Sequence, residues 1–262
     1  EGDMDLGLKG KRAIVCASSK GLGRACATAL AQAGCEVVIN GRNAEVLEAT
    51  AKEIAESTGA RVIPVAADVG TPEGRKALLG ALSQVDILVN NNGGPPTKDF
   101  RQLSHADMVA GVEGNMITPI ELIQGVIDGM MERKFGRIIN ITSGSVKMPL
   151  PQLDLSSGAR AGLTAFVAGV ARTVAMHNVT INSILPGAFL TDRLRTIAAG
   201  AAKAQGTTAE EVLAARTKTI PAGRLGDPQE FGQLCAYLAS AQAGYITGQN
   251  FLIDGGTFPG AF

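Results

Sequence analysis

The chain has 262 residues, 45% hydrophobic and 18% charged, long enough for one large buried core and short for two. Its 24 Lys and Arg balance 24 Asp and Glu, so no overall field draws it to nucleic acid or an anionic membrane, and neither is expected as a partner. No apolar run reaches the roughly 18–20 residues that span a bilayer, and the acidic start Glu1-Gly2-Asp3-Met4-Asp5 lacks the pattern of a signal peptide.

Met4 is read as the natural start, with Glu1–Asp3 an addition, and the location as cytoplasmic. Cys16, Cys26, Cys35 and Cys235 form no Cys-x-x-Cys pair, and the two histidines cannot complete a metal site. They read as free buried thiols in a reducing compartment, with no metal.

Taken in chain order, short β-branched runs alternate with Ala/Leu-rich segments. Strands are predicted at Ala13–Cys16, Glu36–Asn40, Arg61–Ala66, Ile87–Asn90, Arg137–Ile141, Thr180–Leu185 and Asn250–Ile253. Their apolar residues run without polar alternation, as in strands covered on both faces. Helices are predicted at Leu22–Ala33, Ala44–Ser57, Pro72–Leu82, His105–Arg133, Ser156–His177 and Pro228–Ser240. Thr71-Pro72 and Asp227-Pro228 read as an N-cap followed by the first helical position. The fold class is therefore α/β, a Rossmann-type doubly wound parallel seven-stranded sheet with helices on both faces. Residues 1–262 read as one domain, with a tail at 1–7 and an irregular flap at about 188–222 over the ligand crevice.

Between the first strand and first helix lies Ala17-Ser18-Ser19-Lys20-Gly21-Leu22-Gly23. Its glycines let the backbone approach a pyrophosphate, and the helix N-terminus offers free N–H groups. A tight structural turn would look similar; the position inside a βαβ unit favours the phosphate reading. The second strand ends Asn40-Gly41-Arg42, without the carboxylate that binds the ribose of NAD. Lys20 and Arg42 are each ordinary as surface charges. Together, with no acid, they suit a 2′-phosphate and point to NADP(H) over NAD(H).

With these residues in view, the chain resembles the short-chain dehydrogenase/reductase family, and within it the 3-oxoacyl-carrier-protein reductase-like group, from Leu8 to Gly256. Ala17–Gly23 looks like the family's T-G-x-x-x-G-x-G turn, with Cys16 and Ala17 replacing its Thr and first Gly. Asp68-Val69 resembles the pair that meets adenine, and Asn90-Asn91-Asn92-Gly93 resembles N-N-A-G with Asn92 in the Ala place. Pro186-Gly187 followed by Thr191 resembles the segment that holds the nicotinamide carboxamide. Gly223-Arg224, Ile246-Thr247-Gly248 and Asp254-Gly255-Gly256 complete the likeness.

The resemblance implies an Asn–Ser–Tyr–Lys catalytic set. Asn115 and Ser143 match the first two, but the tyrosine and lysine positions hold Ser156 and Arg160. The only tyrosines, Tyr237 and Tyr245, lie far downstream. A lysine cation lowers a tyrosine's pKa from about 10 and lets the phenol give up its proton. A serine is a far weaker acid, and arginine keeps its own proton. Losing a general acid costs about 10²–10⁴ in rate. Ser156 and Arg160 share a helix face, and with Ser143 they would suit a carboxylate or phosphate, unless Arg160 pairs with a nearby acid. Lys147, Asp154 and His105 are alternative acids; His177 falls at the wrong end of a strand.

The leading expectation is an NADP(H)-dependent oxidoreductase acting on a carbonyl or alcohol with altered proton delivery. A non-catalytic NADP(H)-binding subunit or sensor, and a lyase or isomerase, stand beside it. The resemblance implies a homotetramer or homodimer built on the helices at 105–133 and 156–177. The latter carries Leu163, Phe166, Val167, Val170 and Val174, which fit core burial equally well. The flap's five cations at Arg193, Arg195, Lys203, Arg216 and Lys218 oppose Asp192, Glu210 and Glu211, a net of +2. That surface would greet an anionic acyl carrier or serve as a solvated face; the substrate is a small molecule or an acyl thioester.

Overall fold

A computed structural model describes residues 5–261, so the readings of Glu1–Asp3 and Met4 lie outside the described residues. Seven strands form one sheet: β1 (Arg12–Val15), β2 (Glu36–Gly41), β3 (Val62–Ala66), β4 (Ile87–Asn90), β5 (Gly136–Ile141), β6 (Val179–Pro186) and β7 (Asn250–Ile253). Their order is β3-β2-β1-β4-β5-β6-β7, and every neighbouring pair is parallel. Helices are α1 (Gly21–Gln32), α2 (Ala44–Thr58), α3 (Pro72–Leu79), α4 (His105–Val112), α5 (Thr118–Glu132), α6 (Asp154–Val174), α7 (Asp192–Gln205), α8 (Ala209–Lys218) and α9 (Pro228–Ala239).

The unbroken apolar runs are explained by burial on both faces. Ala13 and Val15 of β1 pack with Cys26 and Leu30 of α1, Leu47 of α2 and Phe231 of α9. Ile14, between them, points the other way, toward Leu78, Leu122 and Leu163 of α3, α5 and α6. Each such side chain, fully removed from water, contributes about 1.5–3 kcal/mol. Strand order reverses at β1, which has β2 on one side and β4 on the other. That switch point opens a crevice at the carboxyl ends of the strands. The four cysteines are free and buried, and burial pushes the Cys16 and Cys35 thiols up to about 12, so both are inert.

The predicted caps are present. Thr71 Oγ1 accepts from Gly74 N, and Asp227 with Glu230 forms a capping box before Pro228. Two predicted stretches are corrected. The single helix predicted over 105–133 is broken by a π-helical segment, Glu113–Ile117. Its cause is local competition for backbone groups. Asn115 Nδ2 donates to Gly111 O at 3.3 Å and Asn92 Nδ2 to Gly114 O at 3.0 Å, while Pro119 has no N–H to return to Asn115 O. The flap, read as irregular, is instead the helical pair α7 and α8, capped by Thr191 and Thr208. Phe189, just before α7, meets Phe231 of α9 edge-on at 5.4 Å and 85°, which fastens the flap's root to the core.

Among the described residues, no helix is long and apolar enough to cross a membrane, and no group of His, Cys, Asp or Glu could hold a metal ion.

Candidate active site

The phosphate turn is built by backbone needs. Gly21 has φ +59, a conformation that L side chains avoid. A Cβ on Gly23 would collide with the Ala17 carbonyl oxygen and lie 2.9 Å from Asn91 Nδ2. Lys20 occupies the N-cap of α1 without a side-chain cap, so the first N–H groups of that helix stay free for an anion. Asn91 Nδ2 donates to Ala17 O at 3.1 Å, joining the end of β4 to the turn.

Asn40, read from sequence only as the end of a strand, is the turn's fastener. Buried, it accepts from Ala17 N at 3.2 Å and donates to Val65 O and Ala67 O at 3.1 and 3.0 Å. Its backbone N–H donates to Ser18 Oγ at 2.9 Å, and Ser18 Oγ donates to Val15 O at 2.7 Å. Asn40→Ala removes the side-chain partner of the half-buried Ala17 N, Val65 O and Ala67 O and should cost about 1–3 kcal/mol in a urea unfolding titration. An unchanged midpoint would show that Asn40 fastens nothing.

The tip of β2 lies against the turn: a Cβ on Gly41 would be 3.1 Å from Ser19 Oγ. Lys20 and Arg42 therefore project from adjoining backbone, and both are exposed and in no ion pair among the described residues. Asp68 Oδ1 accepts from Gly70 N at 2.9 Å, ordering the loop after β3, while Val69 is buried beneath it. Gly93 is free of neighbours around its Cα, and Gly187 packs so tightly on Asp254 that a Cβ would come within 2.6 Å. Thr191 Oγ1 caps α7 by accepting from Leu194 N, and its methyl faces Gly21. Backbone glycines, free helix N–H groups and an acid-free cationic edge fit a phosphorylated dinucleotide.

Beyond the turn, Arg160 ties Ser156 to the end of β5 and to Thr142, one residue before Ser143. Arg160 is nine-tenths buried; its Nε donates to Ser156 Oγ at 3.1 Å and its Nη1 to Ile141 O and Thr142 O at 3.0 and 3.1 Å. No carboxylate pairs with it among the described residues, so the alternative of a simple salt bridge is corrected: the partners are carbonyls and a hydroxyl. Burial, with Arg193 as a second cause, lowers its pKa to about 10, and it stays cationic at neutral pH. Ser143 Oγ accepts from Ser145 N at 3.1 Å and from Ser145 Oγ at 2.9 Å.

Beside Arg160 lies a small cavity lined by Asn90, Asn115, Thr118 and Asn140. Asn115 Oδ1, Thr118 Oγ1, Asn140 Nδ2 and Asn90 Oδ1 have no protein partner there. Such a lining suits an ordered water. The other candidate acids stay outside: Lys147 Nζ lies over the Phe258 ring at 5.9 Å, and Asp154 and His105 are exposed at the starts of α6 and α4. His177 falls just before β6, at the far end of the sheet.

Over residues 16–257 the chain matches the family model described as Enoyl-(Acyl carrier protein) reductase. It is 33% identical over 257 residues to 3-oxoacyl-(acyl-carrier-protein) reductase FabG of Vibrio cholerae, covering 97% of this chain and 99% of the relative. The chain belongs to the short-chain dehydrogenase/reductase family. Another relative is the NADPH-dependent reductase BacG of Bacillus subtilis, 31% identical over 252 residues, with 94% and 97% of the two chains covered. Among solved structures, L-sorbose reductase from Gluconobacter frateurii, complexed with NADPH and L-sorbose, superposes with a TM-score of 0.94. Identity there is 30%, over 98% of this chain and 100% of the other. The seven-stranded order is the short-chain dehydrogenase/reductase sheet, and the chain is an NADP(H)-dependent oxidoreductase of that family.

Proposed function

We propose that this short-chain dehydrogenase/reductase reduces the carbonyl of a small oxo compound or 3-oxoacyl substrate, or oxidises the alcohol, without a phenol as proton donor. When bound, NADPH supplies the hydride. In this reading Ala17, Ser18, Ser19, Gly21, Leu22 and Gly23 cradle its phosphates, Lys20 and Arg42 hold the 2′-phosphate and Asp68-Val69 border the adenine. Asn91, Gly93, Pro186, Gly187 and Thr191 line the nicotinamide end.

The observation that carries the proposal is the direction of the hydrogen bonds on the two serines. Ser156 Oγ accepts from Arg160, and Ser143 Oγ accepts from Ser145. Arg160 Nε and Ser145 N are fixed donors, so each serine oxygen accepts one bond and keeps an O–H that this reading directs to the substrate. Two such donors orient a carbonyl oxygen, and the Arg160 cation stabilises negative charge building on it. In this reading a serine hydroxyl would relay a proton to that oxygen, giving one as it takes another from water, so the serine itself never ionises. A water held by Asn115 Oδ1 and Thr118 Oγ1 returns that proton from bulk solvent. The exposed Met108, Val109, Ile117 and Phe166 along α4, the π segment and α6 support a homotetramer or homodimer through that face.

The test is NADPH oxidation against a panel of oxo acids, ketones and 3-oxoacyl thioesters. Ser143→Ala should lower turnover about 10²–10³-fold, the cost of one oriented donor. Turnover untouched by Ser143→Ala would sink the role given to it. The missing tyrosine favours a second reading, a non-catalytic NADPH-binding subunit: Tyr237 sits in α9 and Tyr245 is fully exposed. NADPH binding without turnover across the panel would support that reading.

A further inference from the structure

The site holds one more cation that neither the phosphate turn nor the serine pair uses. Arg160 Nε and Nη1 are committed to Ser156 and to the carbonyls of Ile141 and Thr142. Its Nη2 makes no hydrogen bond among the described residues and faces Gly94: a Cβ built on Gly94 would lie 3.7 Å from it. Arg193 in the first turn of α7 brings Nη2 to 3.4 Å and Nη1 to 3.8 Å of the same point. Arg193 is exposed and in no ion pair among the described residues. Two guanidinium groups, one of them nine-tenths buried, thus converge over a residue without a side chain, and neither is in an ion pair among the described residues.

Like charges repel at this range, and burial strengthens the repulsion. One carboxylate removes it, because its two oxygens can each take an N–H from a different guanidinium. The Ser156 hydroxyl touches Arg160, so a carbonyl attached to that carboxylate would reach it.

We propose that Arg160 and Arg193 form a carboxylate-binding subsite over Gly94, and that the substrate is a small oxo acid, not a neutral ketone or an acyl thioester. The inference rests on the reductase reading for the word substrate, but the subsite itself is a binding claim. Because α7 contributes Arg193, binding of the acid would also draw the flap toward the serine pair.

Titration calorimetry on the protein saturated with NADP+ tests it, using pyruvate, 2-oxobutyrate and phenylpyruvate, each against its amide. At least one acid should bind about tenfold or more tightly than its amide, and Arg193→Met should abolish that preference while Arg193→Lys keeps part of it. Arg193 is exposed, so neither variant threatens folding; NADPH fluorescence should report an unchanged cofactor affinity in both. No acid-over-amide preference for any of the three, or a preference that survives Arg193→Met, overturns the subsite. So does a variant that weakens only NADPH, which would assign Arg193 to the cofactor's phosphates. Acid preference without turnover would keep the subsite and reject the reductase reading; turnover without acid preference would do the reverse.

Discussion

Carbonyl reduction should rise about 10²–10⁴-fold when Ser156→Tyr and Arg160→Lys are combined, the factor a general acid is worth. The two positions are one helical turn apart on α6, with Ser156 Oγ 3.1 Å from Arg160 Nε, so a lysine introduced there would sit under a tyrosine in the same relation. Its ammonium would pull the phenol below its ordinary value of about 10 and make it a competent acid near neutrality. The unmodified pair offers nothing of the kind: the serine does not ionise, and Arg160 keeps its proton until about 10. The pH profile of kcat separates the two. It should be flat through neutrality in the unmodified protein and bend around a new apparent pKa in the double variant. Single substitutions should recover little, since phenol and ammonium act as a unit. A double variant that folds, binds NADPH and gains no rate would mean that proton delivery was never limiting.

Cofactor choice should invert when the cationic edge is removed. Lys20→Ser with Arg42→Asp deletes the two charges proposed to hold the 2′-phosphate and installs a carboxylate at the tip of β2. Hydrogen bonds to charged groups are worth about 1.5–3 kcal/mol each, so losing two should lower NADPH affinity about 10²–10⁴-fold. NADH should gain, because a carboxylate there accepts from the ribose hydroxyls. Fluorescence titration with both nucleotides reads this directly. Both side chains are exposed, so thermal stability should hold. NADPH affinity within threefold of the starting protein would place the 2′-phosphate elsewhere.

The sheet was legible because its strands carry their burial in their composition. Uninterrupted runs such as Ile87-Leu88-Val89 admit no solvent-facing side. The π segment was not legible by periodicity, since the apolar pattern continues through it. The break comes from Asn92, which is distant in sequence, together with Pro119. The two flap helices were legible and overlooked. Thr208-x-x-Glu211 is a capping box, and an Ala-rich stretch between Thr191 and Gly206 has high helix propensity. At the candidate site, Ser143, Ser156 and Arg160 were named from sequence because a motif assigns their places. Asn40, Arg193 and Gly94 belong to no motif. They matter through contacts that only the folded chain makes, across β2 to the first turn and across the crevice to Arg160.

Helix α8 buries none of its residues and packs on α7, whereas α7 buries Leu194, Ala198 and Ala202 and is rooted through Phe189. Stability is therefore graded along the flap, lowest at its outer end. The outer helix can detach for a small fraction of the free energy that unfolds the sheet. Amide exchange should therefore be fastest in α8 and slow toward the Phe189 root of the flap.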